Sequence, residues 1–398
     1  MKLITATNIA QLTFREIEAR RNGTEVESRL TDHHMDNSHF SKRELHEIGR
    51  GTFGVIFARS SQEVIKRTIL PEDTKRWLEQ DAFWHQRIAK TFQARTEYDL
   101  PNVPVFHAFM QEMQLSCYEK QETIWLGHDG KLMEDFDDAT QLLYTQRIPA
   151  IDEHTLESVL SYSSNLDPAS RRKLLSESEK ENVLLRLYFG KQETEWLPRP
   201  EGLPTLQNYP LRQASLSQAL AKVDYDRALK MLAAAVAVLH FEVKCDARDV
   251  EFIFGGSDIQ HIQNGRSKMS FGLFSEGTKA EPSTNCQMWL LDFNQVTSIT
   301  LNEAGIEKAV LGFVENDPYY PKPGQNSRDW TIFKTEYMAV ARKTLESEED
   351  LIDLPALFIQ KVERRQGLND YQHLFASGTG RKHPSRWLAW LSKWFVAE

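Results

Sequence analysis

Lys66, Asp246, Asp249, Glu251 and Asp292, with the triplet Gly49-x-Gly51-x-x-Gly54, are the residues of this 398-residue chain whose types and spacing can do chemistry. Glycines at such intervals in a turn let backbone N–H groups approach a phosphate, because no Cβ stands in the way. A lysine on the following strand neutralises phosphate charge. Clustered carboxylates bind a hard divalent cation, accept a proton or grip a guanidinium. The triplet sits among short β-branched runs, Leu45 to Gly49, Val55 to Ala58 and Glu63 to Arg67. Those runs read as a hairpin and a third strand. A dinucleotide-binding fold needs the triplet between a strand and a helix, so that fold is excluded.

The elements that must position these residues follow from periodicity. Asp73 to Phe92 has helical spacing, with Trp77, Ala82, Phe83 and Ile88 on one side, and Glu79 or Asp81 is expected to pair with Lys66. Val103 to Met110 and Gln141 to Ile148 are further strands. Helices are expected at Glu153 to Leu160, Ala169 to Phe189, from Ser217 onward, and at Trp330 to Glu346, Leu351 to Arg365 and Pro384 to Phe395. Asp226 reads as an N-cap, with Ala228, Leu232, Ala235, Val236 and Leu239 on the core face behind it. Gly255 to Pro282 reads as a long loop with a short strand at Met269 to Phe274. The fold class is α+β. Residues 1–45 form an N-terminal extension, with a helix from Ile9 to Arg21 and His33-His34 in a solvated loop. Residues 46–150 form a small β-rich lobe, and residues 151–398 a larger, mainly helical one.

Four segments in this order resemble a protein kinase. Its glycine triplet lies on a hairpin, its phosphate-pairing lysine on the next strand, and its catalytic loop and Asp-Phe-Gly follow later. Lys244-Cys245-Asp246-Ala247-Arg248-Asp249-Val250-Glu251 resembles the catalytic loop, and Trp289-Leu290-Leu291-Asp292-Phe293-Asn294 the strand ending in the metal-binding aspartate. The resemblance implies a protein-kinase-like two-lobed fold, with Lys66, Asp246 and Asp292 in catalytic roles. Three positions depart from it. Glu251 replaces the asparagine that holds a second Mg²⁺, Lys244-Cys245 replaces His-Arg, and Asn294 replaces the last glycine.

Asp246-x-x-Asp249-Val250-Glu251-Phe252, Trp289 to Phe293 and Asn316-Asp317-Pro318-Tyr319-Tyr320-Pro321-Lys322-Pro323 also resemble a family of fungal proteins described as hypothetical or "zinc finger" proteins. That family includes the arginine-containing cyclodipeptide synthases. The resemblance implies a synthase that joins arginine to a second amino acid, using Arg-tRNA and another aminoacyl-tRNA, in fungal secondary metabolism. No cofactor is required, since the aminoacyl ester is already activated. Glu251 or Asp249 would hold the arginine guanidinium and Asp246 would act as general base, with Asp292 opposite. Cys245 is either an acyl acceptor or a small buried residue. Phosphate contacts to tRNA would come from Arg171, Arg172 and Lys173, or from Arg381, Lys382, Arg386 and Lys393 beside Trp387, Trp390 and Trp394. An aromatic partner pocket would draw on Phe53, Trp125, Tyr144 or Tyr319-Tyr320. Two readings compete. One is a small-molecule phosphotransferase of the aminoglycoside-kinase type using Mg-ATP; the other is an inactive pseudokinase-like binding module.

Composition limits these choices. Lys and Arg total 48 against 57 for Asp and Glu, giving a net charge of −9. That excess excludes a general basic coat for nucleic acid, and no DNA partner is expected. No apolar run approaches the roughly 20 residues of a membrane helix, so no membrane partner is expected either. Cys117, Cys245 and Cys286 stand far apart, which excludes a disulfide framework and a standard zinc finger; no metal site is expected. The N-terminus reaches charged residues too soon for a secretory signal, and a cytoplasmic location is expected. The oligomeric state is left open.

Overall fold

The computed structural model describes residues 43–68, 71–111, 123–127, 130–131, 141–162, 168–176, 182–190, 206, 209–213, 216, 222–257, 271–273, 283–316 and 319–377. The expected helices at Ile9 to Arg21 and Pro384 to Phe395, His33-His34, the C-terminal basic and tryptophan residues and Asp317-Pro318 lie outside these residues. Within them the chain is a mixed α+β structure with two sheets and several helices.

The first sheet contains β1 (Arg43–Arg50), β2 (Val55–Ala58), β3 (Glu63–Arg67), β4 (Phe106–Gln111), β5 (Thr123–Leu126) and β6 (Gln141–Gln146). Their order is β4-β6-β3-β2-β1-β5. Val55 and Phe57 alternate with less buried neighbours, so one face of the sheet is a core shared with Leu45, Ile65, Trp125 and Tyr144. Ile65 points into that core, so Lys66 must point out of the opposite face. Register confirms the placement, because Lys66 pairs with Ile56 on β2 and Leu143 on β6. Leu143 packs against Leu78 and Ala82 of α1 (Pro71–Ala94), which therefore covers the face that carries Lys66. Leu78, Asp81, Ala82, His85 and Ile88 recur at helical spacing on the buried side. Leu78 and Ile88, fully buried, each contribute about 1.5–3 kcal/mol to holding α1 in place. Phe83, expected on this side, is 53% exposed, and Trp84 takes the inward position.

The second sheet contains β7 (Leu185–Tyr188), β8 (Tyr209–Arg212), β9 (Glu251–Gly256), β10 (Phe271–Leu273) and β11 (Ser283–Leu291), in the order β10-β11-β9-β7-β8. It lies within residues 151–398, alongside their helices. Around it stand α2 (Glu153–Tyr162), α3 (Pro168–Ser176), α4 (Lys222–Val238), α5 (Glu303–Glu315), α6 (Ser327–Thr344) and α7 (Leu354–Ser377). The single helix expected over Ala169 to Phe189 is corrected, because among the described residues Pro168–Ser176 is helical and Leu185–Tyr188 is a strand. Leu185 and Leu187 are fully buried while Arg186 and Tyr188 are less so, a period of two that pairing with β9 rewards more than helix propensity does. Asp226 lies inside α4, where it pairs with Arg328 instead of capping. The Met231–Val238 stretch of α4 is apolar on every side and buried throughout, as a helix enclosed by its neighbours must be.

Two backbone joints tie the second sheet to the segments that flank β6 and β4. Gly256 N–H donates to the Pro149 carbonyl at 2.7 Å, and a Cβ on Gly256 would meet the Ala150 carbonyl at 2.6 Å. Asn102 brackets Trp289 by donating to Met288 at 2.9 Å and accepting from Leu290 at 2.8 Å. The end of β11 is thereby fixed against the segment between α1 and β4. That end carries Asp292.

Candidate active site

Lys66 Nζ lies 2.7 Å from Asp81 Oδ2 and 3.1 Å from Asp292 Oδ1. Of the two acidic partners expected on the helix, Asp81 is the one that pairs; Glu79 accepts instead from Gln141 Nε2 at 3.0 Å. Asp81 is itself fixed by a second bond, since Phe293 N–H donates to its Oδ1 at 3.2 Å. One buried aspartate therefore aligns both the lysine and the backbone that follows Asp292. Burial opposes the charge on Lys66, but Asp292 and Asp81 outweigh it and hold the amine above its ordinary pKa. It is a permanent cation at any working pH.

Behind Lys66 the glycine turn closes through Gly51 N–H donating to the Gly54 carbonyl at 2.9 Å. The three glycines are not equivalent. A Cβ on Gly54 would meet the Arg67 carbonyl at 2.9 Å and Lys66 Cγ at 3.1 Å, whereas Gly49 and Gly51 have room for one. Gly54 is the glycine that the strand beside Lys66 demands.

The catalytic-loop segment is positioned by an unusual run of backbone. After α4 a single π turn, Leu239–Val243, ends at Lys244 in the left-handed region (φ 64°). Ala247 (φ 50°), Asp249 (φ 58°) and Asp292 (φ 62°) share that region. Each non-glycine residue there costs on the order of 1 kcal/mol, and such strain concentrates at functional sites. The substituted Asn294 is not in that region, so the missing glycine of the Asp-Phe-Gly pattern carries no backbone penalty.

Within this loop the structure redistributes the expected roles. Asp246, the expected general base, is 2% exposed. It accepts from Thr297 N–H at 2.8 Å, the Thr297 hydroxyl at 2.6 Å and Arg248 N–H at 3.3 Å. Those bonds tie the loop to the chain after Asp292. Asp249 is half-buried, where Asp246 is fully buried. Burial and the neighbouring Asp292 carboxylate push its pKa up to about 6, against the pull of Arg186, of a bond from Gln295 Nε2 and of Lys66. Glu251 begins β9 opposite Leu291, immediately before Asp292, and is joined to Arg186 of β7. Burial raises its pKa, Arg186 lowers it, and Asp292 and Asp249 raise it again; the net direction is upward. Arg248 meets Glu315 at 2.5 Å, which leaves Glu251 to Arg186. Its carboxylate does hold a guanidinium, but the chain's own.

Lys66, Asp81, Asp249, Glu251, Arg186 and Asp292 thus form one charged cluster. Sequence reasoning missed Arg186, because a helix was expected where β7 runs. The signal was present in Leu185-Arg186-Leu187-Tyr188, whose polar and apolar residues alternate. Other expected participants stand elsewhere. Cys245 is fully buried with its thiol pushed up by burial, which makes it a packing residue and a poor acyl acceptor. Trp125 and Tyr144 belong to the first sheet's core, and Tyr320 donates its hydroxyl to the Ala247 carbonyl at 3.0 Å beneath the loop. Phe53 lies against Trp77, with ring centroids 5.0 Å apart. Arg171 and Arg172 lie on α3.

The donor set fits Mg-ATP. Asp292 offers the oxygen ligands Mg²⁺ prefers, Lys66 a fixed cation for phosphate oxygens, and the tight Gly54 turn a close backbone. Mg²⁺ needs only one or two carboxylates when phosphate and water complete its shell. Among the described residues, no group of three His, Cys, Asp or Glu is arranged to hold a metal ion unaided.

A protein-family model described as "Zinc finger protein" matches residues 288–349. The matched stretch contains Asp292, α5 and α6, and its described residues supply no zinc ligand set. No curated protein matches the chain. Among solved structures, a point mutant of aminoglycoside 2′-phosphotransferase IIIa in complex with GDP is similar at 9% identity, over 82% of this chain and 93% of that one. Its TM-score is 0.20, too low for that likeness to carry weight.

Proposed function

We propose that this chain is an ATP-dependent small-molecule phosphotransferase of the aminoglycoside-kinase type, on a protein-kinase-like fold whose lobes are residues 46–150 and 151–398. The observation that carries the reading is Lys66 Nζ held between Asp81 at 2.7 Å and Asp292 at 3.1 Å. A surface lysine needs neither partner. A lysine clamped by a helix carboxylate and by the aspartate at the end of β11 is what phosphate positioning requires.

The chain's own residues divide the work. Lys66 presents a fixed positive charge, and Asp81 aims it. Asp292 offers carboxylate oxygens to a divalent cation. Asp249 takes the proton of an acceptor hydroxyl, since its raised pKa brings it near the working pH. Asp246 holds the loop in which Asp249 sits. Mg-ATP, when bound, supplies the phosphoryl group and the cation that polarises it. A reduced, cytoplasmic setting belongs to the same proposal, since Cys245 and Cys286 are free thiols. No helix among the described residues is long and apolar enough to cross a membrane.

A second reading, the arginine-joining cyclodipeptide synthase with two aminoacyl-tRNAs as substrates, is favoured by one observation. The family match at residues 288–349 includes Trp289 to Phe293 and Asn316 to Pro323, two stretches on which that resemblance rests. In that reaction Asp249 would deprotonate the attacking amine or grip the substrate guanidinium, with Glu251 already engaged by Arg186.

One incubation separates the readings: the purified chain with ATP, Mg²⁺, a panel of aminoglycosides and a charged tRNA pool, followed by mass spectrometry. ADP with a phosphorylated acceptor is expected. A cyclic arginine dipeptide with ATP intact selects the synthase, and neither product selects a binding module.

A further inference from the structure

Glu251 stands where a kinase places the asparagine that holds its second Mg²⁺. Its register partner Leu291 immediately precedes Asp292, so the carboxylate lies beside the metal-binding aspartate. An unpaired carboxylate at this point would recruit a second divalent cation. This chain meets it with Arg186 of the adjacent strand β7, and the same guanidinium nitrogen donates to the Tyr319 hydroxyl at 2.8 Å. Tyr319 is fixed in turn by an edge-on contact with Tyr188, ring centroids 5.2 Å apart. The arrangement is largely buried, with 21% and 11% of the two charged side chains exposed. Strand pairing, a hydroxyl and a tyrosine pair all serve to hold one guanidinium on one carboxylate.

We propose that Arg186 is a built-in substitute for the second divalent cation, so that the site takes a single ion per nucleotide. Arg186 acts here as a positioning residue. It occupies Glu251 and contributes a positive charge that neither dissociates nor deprotonates. The inference rests on the phosphotransferase reading and deepens it, because it fixes the metal stoichiometry of that site. It also gives the replacement of the asparagine a physical sense. A carboxylate in that position adds negative charge beside triphosphate, and the guanidinium cancels it without an ion from solution.

Counting bound Mn²⁺ by electron paramagnetic resonance, with the full chain and a non-hydrolysable ATP analogue, tests this without relying on turnover. One Mn²⁺ per chain is expected. Arg186→Met exposes Glu251 and should raise the count to two. Arg186→Met combined with Glu251→Gln should restore one, and it removes both buried charges together, so that it folds where the single variant fails. Glu251→Gln alone leaves the guanidinium uncompensated beside Asp292 and should weaken the single ion at least about tenfold. Two ions in the unmodified chain, one in folded Arg186→Met, or unchanged affinity in Glu251→Gln overturns the inference. Two ions in the unmodified chain leave the phosphotransferase reading standing; no Mn²⁺-nucleotide binding at all overturns both.

Discussion

Asp249 and Asp246 are three residues apart on one loop, and their surroundings assign them opposite duties. The Asp249 carboxyl titrates near 6 because burial and Asp292 disfavour its charge. As a base it works only when ionised, so kcat/KM should rise with pH through about 6 and level off above it. Asp249→Asn should abolish that limb and lower kcat by at least about a hundredfold. The same substitution should raise thermal stability. A carboxyl whose folded pKa of about 6 exceeds its ordinary 3.8 destabilises the native state increasingly as pH rises between those values, and by a constant amount above them. Above pH 6 the asparagine variant should therefore melt higher, as expected where function is maintained at the expense of stability. Asp246 behaves otherwise. Its three accepted bonds are buried, so Asp246→Ala should cost about 3 kcal/mol in urea unfolding. A double-mutant cycle with Thr297→Val should show coupling of at least about 1 kcal/mol. Additive losses would show that the bond to Thr297 is not what holds the loop.

At the scale of elements, the site depends on close approaches that only small residues permit. A Cβ on Gly312 in α5 would lie 2.5 Å from the Asp246 carbonyl, so α5 packs directly on the catalytic-loop backbone. Helix propensity alone would make Gly312→Ala stabilising by up to about 1 kcal/mol. The clash should win, giving a net loss of about 1–3 kcal/mol by thermal unfolding together with a lower kcat. How far the elements were legible in the sequence depended on whether their signals were local. The hairpin, the Lys66 strand and the helix over it declare themselves through periods of 2 and 3.6, which is why Lys66 was identified and Asp81 was one of two candidates; Asp292 was identified through the kinase resemblance of Trp289 to Asn294. Arg186 was not, because Leu185 to Tyr188 is too short to outweigh a charged run of helix formers before it; only pairing with β9 makes it a strand. The surroundings that set Asp246 apart from Asp249 were equally hidden. It depends on Thr297, 51 positions away, and on left-handed backbone at residues that are not glycine.

For the whole molecule, the acidic excess of −9 takes on a more local meaning. Asp81, Asp249, Glu251 and Asp292 share one site with only Lys66 and Arg186 as fixed cations in the contacts described. On the proposed reading that balance suits a divalent cation with its phosphates, and the backbone bonds of Gly256 and Asn102 hold the strands that lead to Asp249 and Asp292. The claim on which everything above depends is that this cluster binds Mg-ATP through Lys66. Isothermal titration of the purified chain with Mg-ATP, repeated on Lys66→Met, tests it most directly. Binding by the unmodified chain, and binding weaker by at least about a hundredfold in the variant, is the expected result. Failure of the unmodified chain to bind Mg-ATP, or equal binding by both, would contradict it.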